Sequence, residues 1–383
     1  MKRYDAIVLG LGAMGSAALF HLAKRGAQVL GVDPYPLGHD HGSSHGETRV
    51  IRLAYFEHES YVPLLRRAYQ LWAELEAEWG APLYHPCGVL QVGPPDGEII
   101  PGLDRAAQLH GLPLVSLSRE QLAVRFPGFV LPKGHQARLE EQAGILRVEA
   151  AVRAHGARAQ AHGAEVRLGH FASQLAFTDD GVRLSVGGEV LEARRLVLTA
   201  GPWAPALLAD LNVPFQILRK ASVWVQPQQP HYGLHQGAPA FLYETQDGVY
   251  YGLPAVSDRG MKIAEHSGGA VLTAPLPPSG PERGAPTAAE EARPIAFAAQ
   301  HLPGLGDRIG HRALCMYTMT PDQHFLIDRH PAHPQLVFAA GFSGHGFKFA
   351  TVVGEALADL SLEGGTRQPI GFLGLSRFAG PSR

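Results

Sequence analysis

Residues 5–33, DAIVLGLGAMGSAALFHLAKRGAQVLGVD, decide the fold, and at their centre Gly10-Leu11-Gly12-Ala13-Met14-Gly15 reads G-x-G-x-x-G. Asp5 to Leu9 has the near-continuous apolar character of a strand buried on both faces, and the Ala-rich run from Met14 to Arg25 reads as a helix that Gly26 stops. Gln28 to Val32 is the next short apolar run and ends at Asp33, so strand, turn, helix and strand fit one βαβ unit of about 30 residues. Glycines in such a turn permit a tight reversal and the close approach of a pyrophosphate to a helix N-terminus. A carboxylate about 20 residues further on accepts from ribose hydroxyls. The pattern predicts a dinucleotide site at Gly10, Gly12, Gly15 and Asp33, and it leaves FAD and NAD both open.

Outward from this unit, 383 residues are too many for one ordinary core, so two domains are expected. With 45% hydrophobic and 18% charged residues the chain is globular, and its 45 Gly and 30 Pro imply many turns. A formal net charge of -2 without a long basic run gives no footprint for nucleic acid or an anionic membrane and suits a small neutral or zwitterionic ligand. Cys87 and Cys315 are too few for a disulfide framework, which points to a reducing compartment and a cytoplasmic protein. Lys2 and Arg3 ahead of an apolar stretch imitate a signal peptide, but Asp5 and the three turn glycines interrupt it. No other stretch is long and apolar enough for a bilayer.

Apolar residues recur at helical spacing from Tyr61 to Trp79, and Gly80 ends that helix. Between Pro82 and Ala143, short segments broken by Pro and Gly suggest an excursion into another domain. Arg147 to Ala161 reads as a helix, followed by short strands at Glu165–Arg167, Phe171–Thr178, Val182–Val186 and Leu196–Ala200. Ala221 to Ile263 is rich in aromatic and β-branched residues and predicts a second, antiparallel sheet over a substrate pocket. Ala274 to Pro286 reads as a surface loop without chemistry. Leu336–Ala340, Gly341–Gly346 and Lys348–Leu362 read as strand, glycine turn and helix.

Several further segments carry a family likeness: Gly42-Ser43-Ser44-His45-Gly46-Glu47-Thr48-Arg49 followed by Ile51-Arg52, Tyr251-Gly252, Lys262 with His266, Cys315-Met316-Tyr317-Thr318, and Gly341-Phe342-Ser343-Gly344-His345-Gly346-Phe347-Lys348. With the N-terminal turn they make the chain resemble the monomeric sarcosine oxidase family, which includes N-methyltryptophan and pipecolate-type oxidases, over nearly its whole length. Ser44 and Glu47 depart from the His and Asp typical of the sarcosine and N-methyltryptophan enzymes. The resemblance implies an α/β fold: a Rossmann-like doubly wound FAD domain (1–84, 145–217 and 318–383) interleaved with an antiparallel-sheet α+β substrate domain (85–144 and 218–317).

It also implies roles. Cys315 would join its thiolate to the isoalloxazine ring, although a buried, inert cysteine is the common fate of the residue type. Arg52 and Lys348 would clamp a substrate carboxylate, the arginine as a bidentate fork and the lysine as a point charge. Composition alone would make both of them solvated surface charges. Lys262 would set an ammonium beside the flavin where oxygen is reduced. His266, Tyr251 and Tyr317 would line the pocket. Ser43, His45, Arg49, Gly201, Gly344 and Gly346 would contact the cofactor. Only six of the 33 basic residues are lysines, and two of those six, Lys262 and Lys348, fall in the matched segments. The remaining histidines, His39, His41 and His58 among them, form no zinc spacing, so no metal is expected.

The implied reaction is FAD-dependent oxidation of an N-methyl or cyclic secondary amino acid to an imine that water hydrolyses, with O2 reduced to H2O2. The implied partners are a small amino acid and O2, with a monomer favoured. Two other readings stay open: a flavin dehydrogenase passing electrons to a quinone or protein acceptor, and a flavoprotein that binds without turnover.

Overall fold

The computed structural model describes residues 3–278 and 281–378. Strand Arg3–Leu9 lies between Val29–Asp33 and Glu189–Leu198, parallel to both, in an eight-stranded sheet. Leu336–Ala340 extends the parallel core beside Glu189–Leu198, and Glu165–Leu168 extends it beyond Val29–Asp33. Helix Ala13–Lys24 packs between helices Val148–Ala161 and Ala350–Leu362 on one face, buried along nearly its whole length. The amphipathic helix Tyr61–Trp79 forms over the range the spacing predicts and buries Tyr61, Leu64, Leu65, Ala68, Leu71, Trp72 and Leu75.

Two elements differ from the sequence reading. Strand Glu189–Leu198 begins well before Leu196, because its first half pairs with Gly181–Val186 at the sheet's outer part. There Glu192 and Arg194 alternate with Leu191 and Ala193, so the short apolar run showed only the buried end. Ile99–His110 is a helix that Pro101 and Gly102 disguised. A proline in the first turn forfeits no helical hydrogen bond, and Gly102 is small because a Cβ there would come within 2.6 Å of the Phe56 carbonyl.

The second sheet has nine strands. Its pairing is antiparallel except where Val89–Gly93, from the 82–143 excursion, lies parallel to Ala240–Thr245. The register fixes which side chains share a face. Cys315 stands opposite Lys220, Trp224 opposite Lys262 and Leu242 opposite Tyr251. Alternation along each strand then turns all of these, with Tyr317, toward one side of the sheet. Of the loop 274–286, residues 279 and 280 lie outside the described residues; Arg283 of that loop donates to the carbonyls of Asp40 (2.8 Å) and Pro277 (2.9 Å).

Candidate active site

A cavity of about 510 Å³ runs from the glycine turn to the glycine-rich turn before Lys348. Gly10 has φ +88° and would bring a Cβ to 2.6 Å from the Thr199 carbonyl; at Gly15 a Cβ would lie 1.8 Å from the Gly10 carbonyl. Only glycine lets the first turn of helix Ala13–Lys24 close against the strand end. Asp33 accepts from Leu11 N (2.6 Å) and Tyr35 N (2.8 Å), which holds its carboxylate on the cavity wall beside the turn. Ser44 Oγ accepts from Ala13 N at 3.1 Å, so this departure from the family pattern caps the same helix N-terminus. Turn, helix end, Asp33, Ser43 and Gly201 border one cavity of a size that buries most of a ligand, and this combination fits a dinucleotide such as FAD.

Farther along, Cys315 is buried with Sγ directed at the Ser43 carbonyl (3.8 Å), and Arg49 Nη2 lies 3.9 Å from the sulfur. Arg49 also donates to the carbonyls of Thr48 and Ser43. Tyr317 places its hydroxyl 3.5 Å from His266 Nδ1, and Tyr251 completes that wall. Burial pushes His266 down to about 4, so the imidazole is neutral at physiological pH, and burial holds the Tyr317 hydroxyl well above its ordinary value.

Arg52 and Lys348 are buried rather than solvated, at 2% and 6% exposure. The Arg52 guanidinium carbon lies 4.4 Å and Lys348 Nζ 5.0 Å from the centre of the Tyr55 ring. Lys348 Nζ donates to the His345 carbonyl at 2.9 Å and reaches the Tyr55 hydroxyl at 3.4 Å. Burial first, and Arg52 second, push Lys348 down to about 7. Arg52 Nη2 donates to both oxygens of Glu57 at 2.7 Å, while Nη1 donates to the Ala54 carbonyl at 2.6 Å. Burial alone would raise Glu57, but Arg52, His345 and Lys348 hold it at about 2.

Three expected residues stand off the cavity wall. Gly15 works from behind the turn. His45 is buried against a second cavity, its Nε2 without a hydrogen-bond partner among the described residues. Lys262 lies behind the chain at Gly46–Thr48, donating to the Gly46 carbonyl at 3.0 Å and resting 5.1 Å from the centre of the Trp224 rings. Burial and Arg49 press its pKa well down. Glu47, at φ +65°, accepts from Trp224 Nε1 (2.7 Å) and Ser257 (2.7 Å), so it braces this layer. Sequence reasoning missed Tyr55, Glu57 and Lys220. The first two sit in no motif, but the scarcity of lysine could have singled out Lys220.

The sequence pattern of the FAD dependent oxidoreductase family matches residues 5–360. A monomeric sarcosine oxidase of Streptomyces avermitilis is 40% identical over 98% of both chains. An N-methyl-L-tryptophan oxidase of Salmonella arizonae is 36% identical over 94% of this chain and 95% of its own. Among solved structures, NikD, described as an unusual amino acid oxidase essential for nikkomycin biosynthesis, superposes with a TM-score of 0.85 at 23% identity over 98% of both chains. The L-proline dehydrogenase of P. horikoshii superposes with a TM-score of 0.84 at 22% identity, again over 98% of both chains. At those identities the structures speak for the fold, whereas the two full-length relatives above 30% identity reach the family. The glycine turn and its cavity therefore belong to an enzyme, a member of the FAD dependent oxidoreductase family within the group that holds the monomeric sarcosine and N-methyl-L-tryptophan oxidases.

Proposed function

We propose that this enzyme oxidises N-methyl or cyclic secondary amino acids, using O2 as the final acceptor. The observation that carries the reading is the pair Arg52 and Lys348, two cations buried at one end of the cavity and both packed against Tyr55. A zwitterion can set its carboxylate there and its amine toward Tyr251, His266 and Tyr317. The relatives' names narrow such zwitterions to N-methylated amino acids. Bound FAD would supply the two-electron acceptor, with an imine and, after O2, H2O2 as products.

Within the chain, Gly10, Gly12, Gly15, Asp33, Ser43, His45, Arg49, Gly201, Gly344 and Gly346 are assigned to cofactor binding, and Cys315 to a covalent tether. Arg52 exchanges Glu57 for the substrate carboxylate, and Lys348 adds the second charge. His266 offers an uncharged hydrogen-bonding edge. Lys262 acts on oxygen chemistry through one layer of chain. We assign residues 1–84, 145–217 and 318–383 to the FAD domain and 85–144 and 218–317 to the substrate domain, with the protein working as a cytoplasmic monomer. Among the described residues no helix is long and apolar enough to cross a membrane.

The test is anaerobic titration with a panel of secondary amino acids, followed at about 450 nm where oxidised flavin absorbs. Bleaching by N-methyl or cyclic secondary amino acids, followed by O2 consumption on admitting air, is the expected result. Bleaching only by primary or D-amino acids refutes the substrate class. Bleaching without O2 consumption assigns a dehydrogenase.

A further inference from the structure

Lys220 belongs to none of the segments that pointed to the site, yet it packs directly behind the lining residues Cys315, Tyr317 and His266. It lies on strand Gln216–Val225 directly across from Cys315, is buried, and places its ammonium 5.1 Å from the centre of the Tyr317 ring. Nζ donates to three successive carbonyls, of His266 (3.0 Å), Ser267 (2.7 Å) and Gly268 (3.1 Å). An ammonium has three N–H donors, and all three are spent on one turn. Three neighbouring carbonyl oxygens that converge on one point repel one another, and a buried cation there offsets that repulsion. The turn is also shaped to the lysine stem: Gly269 has φ +112°, and a Cβ there would meet the Arg219 carbonyl at 2.8 Å and Lys220 Cδ at 3.1 Å.

The first residue of that turn is His266, which lines the cavity beside Tyr317. We propose that Lys220 is a positioning residue that fixes His266 against Tyr317 at the substrate-facing wall, by clamping the carbonyls of residues 266–268. The inference rests on the amine-oxidising reading above for the nature of the ligand, but not for the coupling between Lys220 and His266. Burial brings Lys220 down to about 8; of the charged groups facing it, Glu265 favours its protonated form and Arg293 opposes it. The clamp is therefore charged at neutral pH and is released as pH rises through that value.

The experiment uses the full-length, FAD-loaded protein and the variants K220M, K220R, H266N and K220M/H266N. Two dissociation constants are read: that of the bleaching substrate, from anaerobic titration, and that of propionate, a carboxylate that cannot be oxidised, from its shift of the flavin spectrum. K220M and H266N are each expected to weaken substrate binding about tenfold with the limiting bleaching rate nearly kept, and K220M is expected to add less than about twofold in the H266N background. K220R, which keeps the charge but whose planar fork meets only part of the three-carbonyl site, is expected to recover only part of the loss. Independent, multiplying effects of K220M and H266N overturn the proposal, as does unchanged binding in K220M. Should K220M not fold, K220Q, which keeps two donors, is read by the same criteria. A wild type that no secondary amino acid bleaches refutes the substrate class alone, and the propionate cycle then decides on Lys220.

Discussion

The buried Lys348 makes carboxylate binding depend on pH in a way that can be worked out beforehand. With its pKa brought down to about 7 in the free enzyme, the ammonium is charged in acid and lost through the neutral range. A carboxylate held beside it restores the charge, so the bound form keeps the proton to higher pH. Binding should thus be constant below about pH 6, weaken about twofold near pH 7, and fall about tenfold per unit beyond, reaching about a hundredfold, or ~2.7 kcal/mol, near pH 9. The other groups facing Lys348 leave this window clear, since Glu57 at about 2 and His345 at about 3 titrate far below it and Arg52 and Arg49 stay charged. Propionate titrations monitored by the flavin spectrum measure it, because that ligand has no amine to ionise. Lys348→Arg should bind at the acid-limit affinity across the range, and Lys348→Met should bind weakly with no slope. A flat wild-type profile, or a break near pH 7 that survives in Lys348→Met, refutes the reasoning. A shallower break near pH 8 that persists in Lys348→Arg belongs to Lys220.

Gly15→Ala puts a Cβ at 1.8 Å from the Gly10 carbonyl, so the strand–helix junction must open, and the purified protein should be colourless with less than about a tenth of the wild-type flavin by absorbance. Acid precipitation of the wild type should leave the colour in the pellet, whereas Cys315→Ala should release it to the supernatant; a yellow wild-type supernatant removes the tether. Lys262→Met should slow reoxidation of the reduced enzyme by O2 about a hundredfold while leaving anaerobic bleaching within about twofold, both read by stopped flow.

The parts of the fold that were legible in the sequence are those where one local rule governs. The Gly10–Gly15 turn needs glycine for steric reasons, and helix Tyr61–Trp79 needs an apolar stripe. Strand Glu189–Leu198 was half hidden because its alternation at Glu192 and Arg194 depends on a neighbour, Gly181–Val186, that only the tertiary structure supplies. The site divides in the same way. Arg52, Lys348 and Cys315 stood out through motif matches, but whether the two cations were solvated or buried turned on contacts across the chain, since Tyr55, near Arg52 in sequence, packs against Lys348 and Trp72 Nε1 donates to the Lys348 carbonyl. Glu57 was invisible, since a lone glutamate in Tyr55-Phe56-Glu57 becomes meaningful only when Arg52 Nη2 is seen to donate to both of its oxygens.

How the cations are held explains why the cavity suits an anionic group. Lys220 is held by three backbone carbonyls, Lys262 by those of Gly46 and Thr48, Lys348 by that of His345, and Arg49 by those of Thr48 and Ser43. Among the described residues none of these four makes an ion pair with a carboxylate, while Arg52 alone has Glu57. A carbonyl dipole lowers the cost of burying a cation without cancelling its net charge, whereas a carboxylate partner cancels it at close range. The wall therefore keeps a positive potential that a carboxylate partner at each cation would have removed. Low local dielectric magnifies it toward a bound carboxylate and toward negative charge gathering on a reduced ring. The same dielectric pulls the lysine pKa values toward neutrality, so the chain accepts titratable cations in exchange for an unquenched field. An arginine in place of each lysine would keep the charge at every pH, but its planar fork does not match three successive carbonyls converging on one point as they do at Lys220.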